Sequence, residues 1–169
     1  MSGENTQNAN SANPVKQQEC VTLSIENGVA LVSLNRPDKL NALNMDMFLA
    51  LDKVSKQLIK NKNVRAVVVS GNGADFCSGL DIKSILKKPT SGLKLLWKWS
   101  PWSSNLAQRV TTNWRKVEAP VIMCIHGRCW GGGMQVAMGG DFRIVTPDAS
   151  LSIMEAKWGL IPDMGGTIG

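Results

Sequence analysis

The chain has 169 residues, 43% of them hydrophobic, with a formal net charge of +6 and a pI near 9.3. That length and composition supply one domain with a sizeable core, in the range of ordinary soluble globular proteins. The basic balance suits an anionic ligand, but the 19 Lys and Arg residues are spread along the chain without an aromatic-interleaved stripe, which speaks against nucleic acid as a partner.

The cysteines Cys20, Cys77, Cys124 and Cys129 form no Cys-x-x-Cys pair, and His126 is the sole histidine, so no metal-binding spacing is present. The expectation is a reduced, cytoplasmic chain without a metal. No apolar run approaches the length of a bilayer span, and the N-terminus lacks a charged region followed by an apolar one, so neither membrane insertion nor export is expected.

Residues 1–18 are rich in Asn, Ser and Gln and read as a disordered tail ahead of a core over 19–169. Val21 to Ile25 and Val29 to Leu34 flank Glu26-Asn27-Gly28, a strong hairpin signal, and predict two antiparallel strands. After the polar loop Asn35 to Leu43, the apolar positions Met47, Phe48, Leu51, Val54 and Leu58 predict one helical face within Met45 to Ile59, with Asn44 as N-cap. Val64 to Ser70 is β-branched and apolar, as in a strand covered on both faces, and completes a βαβ unit with parallel pairing.

A glycine-bearing turn, Gly71 to Ile82, then leads into a short helix from about Asp81 to Leu86. The segment Lys87 to Lys116 carries Trp97, Trp99, Trp102 and Trp114, with Pro101 interrupting a helix-compatible run. These indoles are expected on the outside of the core or at an oligomer contact, the alternative being an apolar wall for a long-chain substrate. Val121 to Ile125 reads as a buried strand that breaks into a turn and Gly131-Gly132-Gly133 before a small-residue helix. Phe142 to Val145 is a short strand, Pro147-Asp148-Ala149 a turn, and Leu151 to Ile153 another short element.

The glycine triplet lets a ligand approach the main chain, and the unpaired N–H groups at a helix start favour an anion or a developing oxyanion. The earlier turn exposes amides in the same way. Both follow strands, so their N–H groups are expected to meet at the carboxyl edge of an α/β sheet.

The ordered set Asn35-Arg36-Pro37 with Asn41-Ala42-Leu43, Phe76-Cys77-Ser78-Gly79-Leu80-Asp81-Ile82, His126-Gly127 with Gly131-Gly132-Gly133, and Glu155 with Gly159-Leu160-Ile161-Pro162 and Gly165-Gly166-Thr167 resembles the crotonase (enoyl-CoA hydratase/isomerase) superfamily. The resemblance implies an α/β fold of repeated ββα units, a spiral of strands with surrounding helices, that binds an acyl-CoA thioester. Coenzyme A is then part of the substrate, and no separate cofactor is implied. The family's oxyanion hole maps onto the backbone amides of Leu80 and Gly132. Arg36, Lys39 and Lys83 become candidates for the phosphates of CoA, and the adenine side of the pocket falls near Ser78, Leu80, Asp81, Ile82 and Lys83.

Hydratases of the family use two carboxylates, and at the first of those positions this chain has Gln135. An amide orients water but does not take up a proton at neutral pH. Glu155 stands at the second position, so the resemblance implies an isomerase-type proton shuttle, and Asp163 matches an acid of the dienoyl-CoA isomerases. The alternatives are a hydratase in which Gln135 positions water, and a non-catalytic acyl-CoA-binding protein. His126 is expected to make a structural hydrogen bond, and Cys77, Cys124 and Cys129 to be small core residues. Family members continue past Gly-Gly-Thr into C-terminal helices, so the chain is expected to be a truncated form, exposing apolar surface, with the family's homotrimer restricted to a full-length form.

Overall fold

The computed structural model describes residues 19–87, 95–98, 102–157, 159 and 161–168. The tail assigned to residues 1–18, and Trp99 and Pro101, lie outside them.

Strands β1 (Val21–Glu26) and β2 (Val29–Leu34) form the hairpin, with Glu26 paired to Val29 and Val21 to Leu34. Its turn residues Asn27 and Gly28 both have positive φ, at 51° and 81°, the conformation that Asn-Gly supplies cheaply. Helix α1 (Met45–Lys60) starts where Asn44 accepts a hydrogen bond from Met47 N at 2.9 Å. It buries Met47, Phe48, Leu51, Val54 and Leu58. Each such side chain contributes roughly 1.5–3 kcal/mol, so tertiary burial outweighs intrinsic propensity in holding this helix.

Strand β3 (Ala66–Gly71) returns parallel to β2, which makes β2-α1-β3 the expected crossover unit. Helices α2 (Ile82–Leu86) and α3 (Leu106–Thr112) follow, and α3 packs against α1. Then come β4 (Val121–Ile125), β5 (Arg128–Trp130), α4 (Gly132–Met138), β6 (Phe142–Val145), β7 (Ser150–Ser152) and α5 (Met154–Lys157). The chain is thus α/β, and β1-β2-α1, β4-β5-α4 and β6-β7-α5 repeat one strand–strand–helix unit.

Five strands form one sheet in the order β1-β2-β3-β4-β6, parallel except at β1, and β5 pairs with β7 in a separate parallel ribbon. The core lies between this sheet and α1, α3 and α4, around Phe48, Phe76, Val110, Trp114, Met123 and Val136. Edge strand β6 carries exposed Phe142 and Ile144, and Leu151, Ile153 and Ile161 are also exposed.

The structure corrects the sequence reading in three places. Strand β3 begins at Ala66 instead of Val64, because Arg65 and Ala66 donate their N–H groups to Gly28 O in the hairpin turn. The turn before the glycine triplet contains β5, whose three residues are too short to show alternation. Trp114 is fully buried rather than packed outside the core, whereas Trp97 and Trp102 are exposed.

Candidate functional site

The loops that leave β3 and β4 at their carboxyl ends run side by side. Phe76 N donates to His126 O, Cys77 N to Arg128 O, and Trp130 N to Cys77 O, each within 2.9–3.0 Å. On its other side the same segment is stitched to the loop before α1: Ser78 N reaches Leu40 O, Leu43 N reaches Gly79 O at 2.7 Å, and Asp81 N reaches Leu43 O.

These bonds dictate where two main-chain donors point. A trans peptide directs its C=O and N–H to opposite sides. The Gly79 carbonyl is taken by Leu43, so the Leu80 N–H points away from Leu43. The Gly131 carbonyl accepts from Gln135 N at 3.0 Å along α4, so the Gly132 N–H points out of the helix start. Among the described residues neither N–H has an acceptor. The two turns approach closely: a Cβ on Gly79, whose φ is +97°, would lie 2.9 Å from Trp130 O and 3.5 Å from Gly132 N. A Cβ on Gly133 would meet Cys77 O at 2.5 Å, so that position also requires glycine.

Helix α4 carries Gln135, which is 1% exposed. Its Oε1 accepts from Met164 N at 2.8 Å and from Gly166 N at 3.4 Å, and its Nε2 donates to Glu155 Oε1 at 2.5 Å. Two backbone donors fix the carbonyl end of the amide, so its NH₂ end faces Glu155. Glu155, on α5, is half-buried, and its Oε2 is buried without a hydrogen-bond partner among the described residues. Both carboxylate oxygens lie 3.7 Å from the position of a Cβ on Gly131, which sets them beside the amide of Gly132. Leu43 and the Met164 sulfur form an apolar wall next to that glycine, 3.0 and 3.2 Å from a Cβ built on it.

The remaining candidates are dispersed. Asp163 is exposed and has no hydrogen bond to Glu155 among the described residues. Arg36 donates to Asp81 Oδ2 at 3.3 Å and to Ala42 O, and Asp81 caps α2 through Ser84 N at 3.0 Å. These two residues brace the loops. Lys39 and Lys83 are exposed, without an ion pair among the described residues, and Leu80 and Ile82 turn apolar side chains toward solvent. Ser78 is half-buried.

His126 Nε2 lies 3.0 Å from Gly73 O, a structural hydrogen bond. Burial pushes the thiols of Cys77 and Cys129 up to about 12, which leaves both protonated and unreactive. A cleft of about 550 Å³ lined by Arg115, Met134, Met138, Asp141 and Arg143 opens at the carboxyl end of α4, away from the glycine turns. Among the described residues no helix is long and apolar enough to cross a membrane, and no three His, Cys, Asp or Glu side chains cluster as metal ligands would.

The sequence reading gave no role to Asn41, Asp75, Arg128 or Met164. Asn41 is fully buried, with φ 52°, and it donates to Asn72 O and Asp75 O while accepting from Arg36 N. Asp75 and Arg128 pair across 53 residues, a separation with no local signal.

The family model described as enoyl-CoA hydratase/isomerase matches residues 29–168. The 1,2-epoxyphenylacetyl-CoA isomerase of Escherichia coli is 32% identical over 154 residues, covering 88% of this chain and 56% of that protein. The short-chain-enoyl-CoA hydratase of Clostridium acetobutylicum is 34% identical, over 87% of this chain and 54% of its own length. Among solved structures, an enoyl-CoA hydratase from Thermoplasma volcanium superposes with a TM-score of 0.70 at 28% identity, over 84% of this chain and 54% of that one. The chain spans about half the length of the curated relatives it matches. The matched residues and the shared α/β architecture together show that this chain belongs to the enoyl-CoA hydratase/isomerase family, the crotonase superfamily.

Proposed function

We propose that this chain acts on enoyl-CoA thioesters and moves a double bond by proton transfer through Glu155. The observation that carries the reading is the environment of that carboxylate: Gln135 holds one oxygen, and the other is left without a partner. The Gln135 NH₂ group orients the carboxylate and leaves its second oxygen without a competing hydrogen bond. The unpartnered oxygen removes a proton from carbon 2 of a 3-enoyl thioester, and the electron pair moves onto the thioester oxygen. When the resulting dienolate collapses, carbon 4 takes the proton back from Glu155. The product is the 2-enoyl thioester, and the carboxylate is restored.

The Leu80 and Gly132 N–H groups stabilise the negative oxygen, each worth roughly 2.7–4 kcal/mol by analogy with removal of one such donor. Lys39 and Lys83 meet the phosphates of CoA, while Arg36 remains with Asp81. Hydration needs a second group able to pass a proton to or from water. Gln135 is an amide whose carbonyl is already occupied, so it disfavours that reaction.

The test is to assay 3-enoyl-CoA isomerisation beside 2-enoyl-CoA hydration, with Glu155→Gln as control. Isomerisation should dominate, and the substitution should cost on the order of 10²–10⁴ in rate with acyl-CoA binding retained. Hydration faster than isomerisation, abolished by the same substitution, would overturn the reading in favour of a hydratase. Intact thioester binding with no turnover of either substrate would make the chain an acyl-CoA-binding protein.

A further inference from the structure

The two turns that carry the Leu80 and Gly132 amides belong to different strand ends and are joined by few main-chain bonds. Near the start of that seam, Asp75 faces Arg128. Asp75 is 4% exposed, and its Oδ1 accepts from both the backbone N (2.8 Å) and Nε (2.7 Å) of Arg128, while its Oδ2 accepts from Nη2 at 2.9 Å. A two-point guanidinium–carboxylate contact fixes direction as well as distance.

Both partners are themselves held. The Asp75 carbonyl accepts from Asn41 Nδ2 at 2.8 Å, and the Arg128 guanidinium carbon lies 5.8 Å from the centre of the Trp130 ring, whose Nε1 donates to Ser150 Oγ. The backbones beneath are in contact, since a Cβ on Gly127 would come within 2.0 Å of Ala74 O. Asp75 precedes Leu80 by five residues and Arg128 precedes Gly132 by four, and the backbones of Cys77 and Cys129 pair as a parallel β-bridge between them.

We propose that the Asp75–Arg128 pair is a positioning device that sets the spacing of the two glycine turns, and through them of the Leu80 and Gly132 N–H groups. The proposal rests on the enoyl-CoA reading above for its catalytic consequence. Neither side chain touches the substrate. They act on the oxyanion donors by holding the segments that carry them, and misplacement of a donor by a fraction of an ångström weakens the transition state more than the bound ground state.

The experiment compares the 169-residue chain with its Asp75→Asn, Arg128→Lys and Arg128→Ala variants. Arg128→Lys keeps the charge and loses the two-point geometry, and it guards against the Ala variant failing to fold. The readouts are kcat and KM for a 3-enoyl-CoA, affinity for acetoacetyl-CoA (an enolisable thioester) against butyryl-CoA (a saturated one), and amide hydrogen exchange. In Arg128→Lys, kcat should fall on the order of tenfold and acetoacetyl-CoA affinity should fall with it, with KM and butyryl-CoA affinity within about twofold of wild type. The Cys77 and Trp130 amides, which bridge the seam, should exchange about tenfold faster, while those of α1 and β3 are unchanged.

Unchanged kcat and unchanged exchange at Cys77 and Trp130 in all folded variants would overturn the proposal. So would a joint loss of kcat, butyryl-CoA affinity and α1 protection, which describes a general brace. A wild-type chain that turns over neither enoyl-CoA would overturn the enoyl-CoA reading instead, and the exchange at Cys77 and Trp130 would still decide whether the pair holds the seam.

Discussion

Gln135 gives its NH₂ group to Glu155 and has its own carbonyl held by the backbone N–H groups of Met164 and Gly166. The amide cannot turn over without facing its NH₂ end toward two donors, so the arrangement is fixed from both sides. It separates orientation of a carboxylate from proton transfer, because Gln135 does the first and has no means of doing the second.

Replacing that amide by an acid should change the chemistry. In Gln135→Glu two carboxyl groups would stand within hydrogen-bond distance and share one proton near neutral pH, since both cannot ionise cheaply. Isomerisation should fall on the order of tenfold at pH 7 and recover as pH rises and the shared proton is lost, while hydration of 2-enoyl-CoA increases. Parallel pH–rate profiles of the two reactions in wild type and variant are the check.

Asn41 ties two loops through one side chain, and it does so in a left-handed backbone conformation that Asn tolerates better than most residues. Asn41→Ala would leave the Asn72 and Asp75 carbonyls and the Arg36 N–H without this partner. The expected loss is about 3 kcal/mol. Thermal unfolding should show a drop in Tm of roughly 6–12 °C for a chain of this size.

Stability should fall in acid through two carboxylates. Arg128 holds Asp75 below its ordinary value of 3.8 through hydrogen bonds and charge, against the opposing effect of burial. At Asp52 burial opposes ionisation, but Arg109 and Lys56 more than offset it, so this group too lies below 3.8. For both, the unfolded chain binds protons more readily than the folded one, so the stabilisation is complete above the unfolded value and is lost as pH falls through the folded one. Urea midpoints should therefore be flat from pH 7 to about 5 and decline below about 4. Asp75→Asn should make that decline shallower.

The parts of the fold that rest on local chemistry were legible in the residues. Asn27-Gly28 specifies its turn, Asn44 caps α1, and the apolar spacing from Met47 to Leu58 marks the buried face. The two glycine turns were legible for a similar reason: close backbone approach at Gly79 and Gly133 leaves no room for a Cβ.

What was not legible depends on partners distant in sequence. Strand β5 exists because Arg128, Cys129 and Trp130 pair with Ser150, Leu151 and Ser152, and three residues carry no period of their own. Arg36 read as a cation for CoA phosphates, yet its guanidinium is turned to Asp81, 45 residues away. Trp114 read as one of a surface series, and only the packing of α1 and α3 around it takes it into the core. In each case composition names the group, and topology decides what it meets.

The two peptide links that end in Leu80 and Gly132 are alike in a further respect. Each has its carbonyl oxygen engaged, one by Leu43 N–H and the other by Gln135 N–H. A hydrogen bond accepted at the carbonyl draws electron density through the amide and makes its N–H more acidic, with each link in such a chain strengthening the next by about 10–30%. The bonds that brace the loop before α1 and the first turn of α4 thus also set the donor strength of two main-chain N–H groups, so a substitution that loosened either brace would weaken the polarity of the site without altering any side chain within it.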